Sequence, residues 1–80
     1  MKLAVKYFGM IAEAIGKHEE TLDVSVQQFS VLNLTELLLK KYSNLKLMSF
    51  KIAVNQTIVA ENEMINESDE IALLPPFAGG

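Results

Sequence analysis

The chain has 80 residues, half of them hydrophobic, with no cysteine and a net charge of −3. This length suits one domain, and so short a chain must draw its stability from a single apolar layer. The lack of cysteine excludes disulfides, a thiol nucleophile and thiolate-built zinc or iron–sulfur sites, and the lack of arginine removes bidentate readout of phosphate or guanine.

Leu3, Val5 and Tyr7 alternate with Lys2, Ala4 and Lys6, the pattern of a first strand with one buried face, which Gly9 ends. Met10 to Ile15 has helical composition, and Gly16 stands where a left-handed C-terminal cap belongs. A second strand follows, in which Leu22, Val24 and Val26 face inward and alternate with Thr21, Asp23 and Ser25. Gln27 to Leu32 reads as a connection.

Asn33 followed by Glu36 resembles a capping box that opens the main helix. Leu34, Leu37, Leu38 and Tyr42 fall at helical spacing, and Lys40-Lys41 sits late, where positive charge complements the helix dipole. Ser43-Asn44 is expected to end this helix. From Phe50 the chain reads as strand again, with Ile52 and Val54 alternating with Lys51 and Ala53. Asn55-Gln56 forms a turn because asparagine tolerates positive φ, and Thr57-Ile58-Val59 returns. Asn66 to Asp69 is a polar turn, and Ile71 and Leu73 face inward on the last strand, which Pro75-Pro76 must terminate for want of an N–H.

Strand, short helix, strand, long helix, strands: the order describes an α+β fold in which one main helix covers one face of a small mixed sheet. The first two strands are too closely connected for a parallel crossover, and the last strand is expected beside the first. This is a β-grasp, ubiquitin-like arrangement. It is expected to span residues 1–80 as one domain, with 75–80 a flexible C-terminal tail.

Met1 to Lys6 is too short and too charged for a signal peptide, and no apolar run approaches the roughly 20 residues of a membrane span. A cytoplasmic protein is expected, with no nucleic-acid or membrane partner. The lone histidine, His18, lies in a polar connection, where a ligand or catalytic role is improbable. The acidic pairs Glu19-Glu20 and Asp69-Glu70 read as solvated charges at strand edges. No self-contained active site emerges, and no metal site.

The distinctive segment is the end, Pro75-Pro76-Phe77-Ala78-Gly79-Gly80. Two prolines favour an extended exit, and the segment reaches up to roughly 20 Å when fully extended. Gly79-Gly80 can thread a channel in which any β-carbon would clash. Strand parity adds a second feature. Phe8 and Leu74 point to the face opposite the core, and Ile58 joins them if the turn before it has the right register. Such a patch beside the tail marks a docking surface.

Tyr7-Phe8 with Glu13 and Gly16, Ala53 through Val59, and Asp69-Glu70-Ile71-Ala72 running into Pro75 through Gly80 together resemble the small subunit of molybdopterin synthase, the MoaD family of ubiquitin-like sulfur carriers. Ala12, Ser68 and Phe77 replace the arginine, glycine and smaller residue usual in that family. The resemblance implies that an ATP-dependent, E1-like adenylating enzyme converts the Gly80 carboxylate to an acyl-adenylate. Sulfur then replaces the adenylate to give a thiocarboxylate, which donates to cyclic pyranopterin monophosphate within the large synthase subunit. On this reading Gly79 and Gly80 carry the chemistry. Phe8, Ile58, Leu74, Pro75, Pro76, Phe77 and Ala78 meet the partner, and the chain itself binds no cofactor, ATP being used by the activating enzyme. Three alternatives stand beside it: a thiamine-pathway sulfur carrier, a ubiquitin-like protein modifier, and an interaction domain with an inert terminus.

Overall fold

The alternation at Leu3, Val5 and Tyr7 becomes the inner face of β1 (Lys2–Tyr7), where all three side chains are buried. The computed structural model describes residues 1–25 and 28–76 of the chain. The short helix α1 (Gly9–Ile15) follows, closed by Gly16 in the left-handed conformation with its N–H bonded to the Ala12 carbonyl, as the sequence predicts. It leads into β2 (Glu19–Asp23), antiparallel to β1. Of the three inward residues expected here, Leu22 and Val24 are buried, and Val26 lies outside the described residues.

The segment read as a connection contains β3 (Phe29–Ser30), which pairs with β6 (Met64–Ile65) in a separate two-stranded ribbon. The main helix α2 (Val31–Lys41) starts two residues before the expected cap. Ser30 is its N-cap: the Ser30 hydroxyl accepts from the Asn33 N–H, and the Asn33 side-chain oxygen accepts from the Ser30 N–H. Asn33 is thus the third helical residue of the capping box and does not open it. Phe29 before the cap and Leu34 after it both enter the core, the arrangement of a hydrophobic staple. The helix ends as Lys40 and Lys41 lead to Tyr42, and a single 3-10 turn over Ser43–Leu47 buries Leu45.

Strand β4 (Lys51–Val54) turns at Asn55-Gln56, both at positive φ (52° and 70°), into β5 (Thr57–Ile58). This is the two-residue hairpin geometry that suits the twist of the strands. After the polar turn, closed by the Asp69 N–H on the Asn66 carbonyl, β7 (Glu70–Leu74) runs parallel to β1 and antiparallel to β4. The sheet order is β2-β1-β7-β4-β5, with β7 in the middle. Leu3, Val5, Ile52, Val54, Ile71 and Leu73 form its inner face, and Val31, Leu34 and Leu38 of α2 close over them in one core. The fold is the ubiquitin-like β-grasp. Among the described residues no helix is long and apolar enough to cross a membrane.

Glu20 departs from the expectation of a solvated edge charge. Its side chain is only 10% exposed, and its carboxylate accepts from the hydroxyls of Tyr7 and Tyr42 and from Lys41 Nζ at 3.1 Å. Burial opposes ionisation, but the hydrogen bonds from Tyr42, Tyr7 and Lys41 outweigh it and bring the carboxyl to about 2 from an ordinary 4.5. Burial, then the bond to Glu20, holds the Tyr7 phenol protonated well above its usual range. Glu20 thereby ties the edge strand β2 to β1 and to the end of α2.

Candidate docking face and tail exit

Register decides which side chains share the outer face of the sheet. Lys6 pairs with Ala72, Ala72 with Ala53, and Ala53 with Ile58, so these four form one row across β1, β7, β4 and β5. One step further along, Leu74 pairs with Lys51, and the Phe8 N–H donates to the Leu73 carbonyl at 3.2 Å. Phe8 and Leu74 therefore extend the same face beyond the alanine row. The two alanines make a low floor, and Phe8, Leu74 and Ile58 stand around it. The result is a depression of about 340 Å³ lined by these residues with Lys6, Gln56 and Glu70.

Phe8 is 45% and Ile58 48% exposed, while Leu74 is half-buried. Exposing two large apolar side chains around one depression has no folding benefit, and an apolar floor with a polar rim is the usual anatomy of a protein-binding surface. The rim is charged but balanced: Lys6 Nζ lies 3.7 Å from a Glu70 carboxylate oxygen, each side chain about half exposed. In so exposed a place the pair contributes little to stability; it orients both charges at the edge of the depression.

Ile58 belongs to this face only because the hairpin has a two-residue loop. Its geometry is held from the side. The Asn55 N–H donates to the Glu70 carbonyl, the Glu70 N–H donates to Asn55 Oδ1, and Asn55 Nδ2 donates to Asp69 Oδ1 at 3.0 Å. Asp69 also accepts from the Asn66 N–H at 2.8 Å. The Asp69-Glu70 pair, read as solvated strand-edge charge, thus divides: Asp69 locks two turns together and Glu70 stands on the rim.

At the end of β7, Pro75 and Pro76 leave the sheet beside Gly9. That glycine has φ +55°, and a β-carbon on it would lie 3.2 Å from Pro75 Cγ, tighter than ordinary contact. Gly9 therefore sets how closely the tail base approaches the start of α1. Reading the sequence alone assigned Gly9 only the end of a strand, and it missed Ala53 and Ala72 as the floor. The alternation that placed Leu74 outward also carries Ala72 and Ala53 outward, so that signal was present. The close pass of Pro75 over Gly9 depends on the parallel pairing of β1 with β7.

Of the residues expected to form the site, Phe8, Ile58 and Leu74 are brought together, with Pro75 and Pro76 at the exit beside them. Phe77, Ala78, Gly79 and Gly80 lie outside the described residues. Comparisons with known proteins extend over nearly the whole chain. The family model described as ThiS family matches residues 5–80. A molybdopterin synthase sulfur carrier subunit from Mycobacterium tuberculosis is 35% identical over 83 aligned positions, which cover 100% of this chain and 99% of that one. A solved structure from Pyrococcus furiosus, described as molybdopterin converting factor subunit 1, superposes with a TM-score of 0.88 at 25% identity, covering 96% of this chain and 99% of that one. A chain in the Helicobacter pylori complex of subunits 1 and 2 of molybdopterin-converting factor superposes with a TM-score of 0.70 at 25% identity, each chain covered completely.

Proposed function

The chain belongs to the ThiS family, and from that premise we propose that it is the sulfur carrier subunit of a molybdopterin synthase, with the Gly80 carboxylate as its working group. An ionised carboxylate is a poor electrophile. Adenylation by an E1-like enzyme that consumes ATP converts one oxygen into a good leaving group, and a sulfur nucleophile then displaces AMP to leave a thiocarboxylate on Gly80. The thiocarboxylate donates its sulfur to cyclic pyranopterin monophosphate inside the large subunit. The carrier supplies reach and position, and the large subunit supplies the pocket and the reacting side chains.

The observation that carries this reading is the coincidence of the exit with the docking face. Pro75-Pro76 leaves the central strand beside Phe8 and Leu74, so a partner seated on the apolar depression stands next to the point where the last four residues begin. Similarity to a molybdopterin synthase sulfur carrier along the whole chain supports the choice of pathway, and the Helicobacter pylori complex supports a second subunit as the partner.

The test is transfer in a reconstituted system of this chain, an adenylating enzyme, a sulfur donor, ATP and a large synthase subunit. Conversion of the pyranopterin precursor is expected with the full chain. Deleting Gly80 is expected to reduce conversion to background while the thermal melt stays unchanged, because the last core residue, Leu73, comes well before it in sequence. Conversion by the deletion variant would contradict the proposal. Covalent adducts on other proteins without precursor conversion would favour the modifier reading instead.

A further inference from the structure

We infer that the large subunit receiving the tail closes on a second apolar surface, formed by Met10, Leu47 and Met48 on the helix side of the tail base. This rests on the proposed role of Gly80. Leu47 is 91% exposed and Met10 64%, the two most exposed large hydrophobic side chains among the described residues. They come from different elements, the first turn of α1 and the end of the 3-10 turn, yet they line one depression of about 250 Å³ with Met48, Ser49, Pro75 and Pro76. No charged residue lines it.

The two apolar surfaces share the tail base. Phe8 and Met10 flank Gly9, the residue over which Pro75 passes, and each lines a different one of the two depressions. Ile58, Leu74 and Phe8 line one depression, and Met10, Leu47 and Met48 line the other together with the prolines. Chain length then decides what covers the second surface. Four residues follow Pro76, and fully extended they reach at most about 14 Å. A pocket that engages the Gly80 carboxylate must therefore open within that distance of Pro76, and its mouth has to seat around the tail base on both sides. A partner resting only on the outer sheet face would leave the far wall of its channel lifted off Leu47 and Met10. Methionine suits such a rim, since its unbranched thioether side chain repacks easily against a partner of fixed shape.

The experiment measures binding of the full chain to the large subunit by titration calorimetry, using wild type, the double variant Met10→Glu/Leu47→Glu, and Phe8→Asp as a control on the outer face. Both substituted positions of the double variant are exposed, so its thermal melt is expected to match wild type. Leu47→Ser with Met10→Ser serves as a second variant should the added charge disturb the fold. The inference predicts at least tenfold weaker binding for either double variant. Wild-type affinity in the folded double variants, with binding lost in Phe8→Asp, would overturn the second surface and leave the proposed function standing. Intact binding to the large subunit but impaired adenylation would also overturn it, by assigning the surface to the activating enzyme. No binding by wild type would instead remove the proposed function and this inference together.

Discussion

Glu20 joins a charge, two phenols and two lysines at the seam between β1, β2 and α2. Lys17 Nζ lies 3.6 Å from the same carboxylate as Lys41, but both lysines are almost half exposed, so solvent screens their contribution and the tyrosine hydroxyls carry more of it. Because the folded carboxyl sits at about 2, below its ordinary 4.5, its stabilisation is complete above about pH 5 and is lost as pH falls toward 2. Glu20→Gln is expected to lower unfolding free energy at pH 7 by about 1–3 kcal/mol, since two part-buried hydroxyls lose a charged acceptor. The gap between variant and wild type should narrow as acid is added, and urea melts at pH 7, 4 and 2.5 would read it. A gap that stays constant across that range would contradict the assigned ionisation. In the sequence, Glu20 shares parity with Leu22 and Val24 and so pointed inward all along. Its donors were hidden because Tyr42 is 22 residues away on another element.

At the scale of elements, the hairpin after β4 is where the docking face depends most on local chemistry. Asn55 adopts positive φ and spends both ends of its amide on the start of β7 and the preceding turn. Asn55→Ala removes those bonds and, with them, the local hydrogen bonding by which asparagine tolerates the left-handed region. A loss of about 1–2 kcal/mol is expected by chemical denaturation, with weaker large-subunit binding as Ile58 loses its register. Unchanged stability and binding would show that strand pairing alone fixes the hairpin. The sequence revealed this turn because Asn-Gln sits between two apolar alternations, and it revealed the Gly16 cap for a similar local reason. It was less informative where the signal was shared. Ser30 and Asn33 are both good caps three residues apart, and the reciprocal hydrogen bonds between them show that Ser30 opens α2. The ribbon strands β3 and β6 have two residues each, too few for any periodicity to register.

For the whole molecule, topology sets where the tail leaves the domain. Parallel pairing of the first and last strands places β7 in the centre of the sheet, so its C-terminal end is held on both sides by neighbours. The tail base inherits that rigidity, while the prolines prevent the sheet from continuing. The sequence displayed the tail composition, the inward and outward sets of β1 and β7 and the main helix. It did not display the row Lys6–Ala72–Ala53–Ile58 or the close pass of Pro75 over Gly9, because both arise from pairing between segments tens of residues apart. The central claim is that Gly80 ends in a carboxylate which becomes the sulfur-bearing group. Intact mass spectrometry of the protein after incubation with the adenylating enzyme, ATP and a sulfur donor tests it most directly. A gain of roughly 16 Da, confined to the peptide containing Gly80, is the expected exchange of one oxygen for sulfur. An unchanged mass under conditions that charge a known carrier, or a terminus carrying further residues after Gly80 in cells, would contradict it.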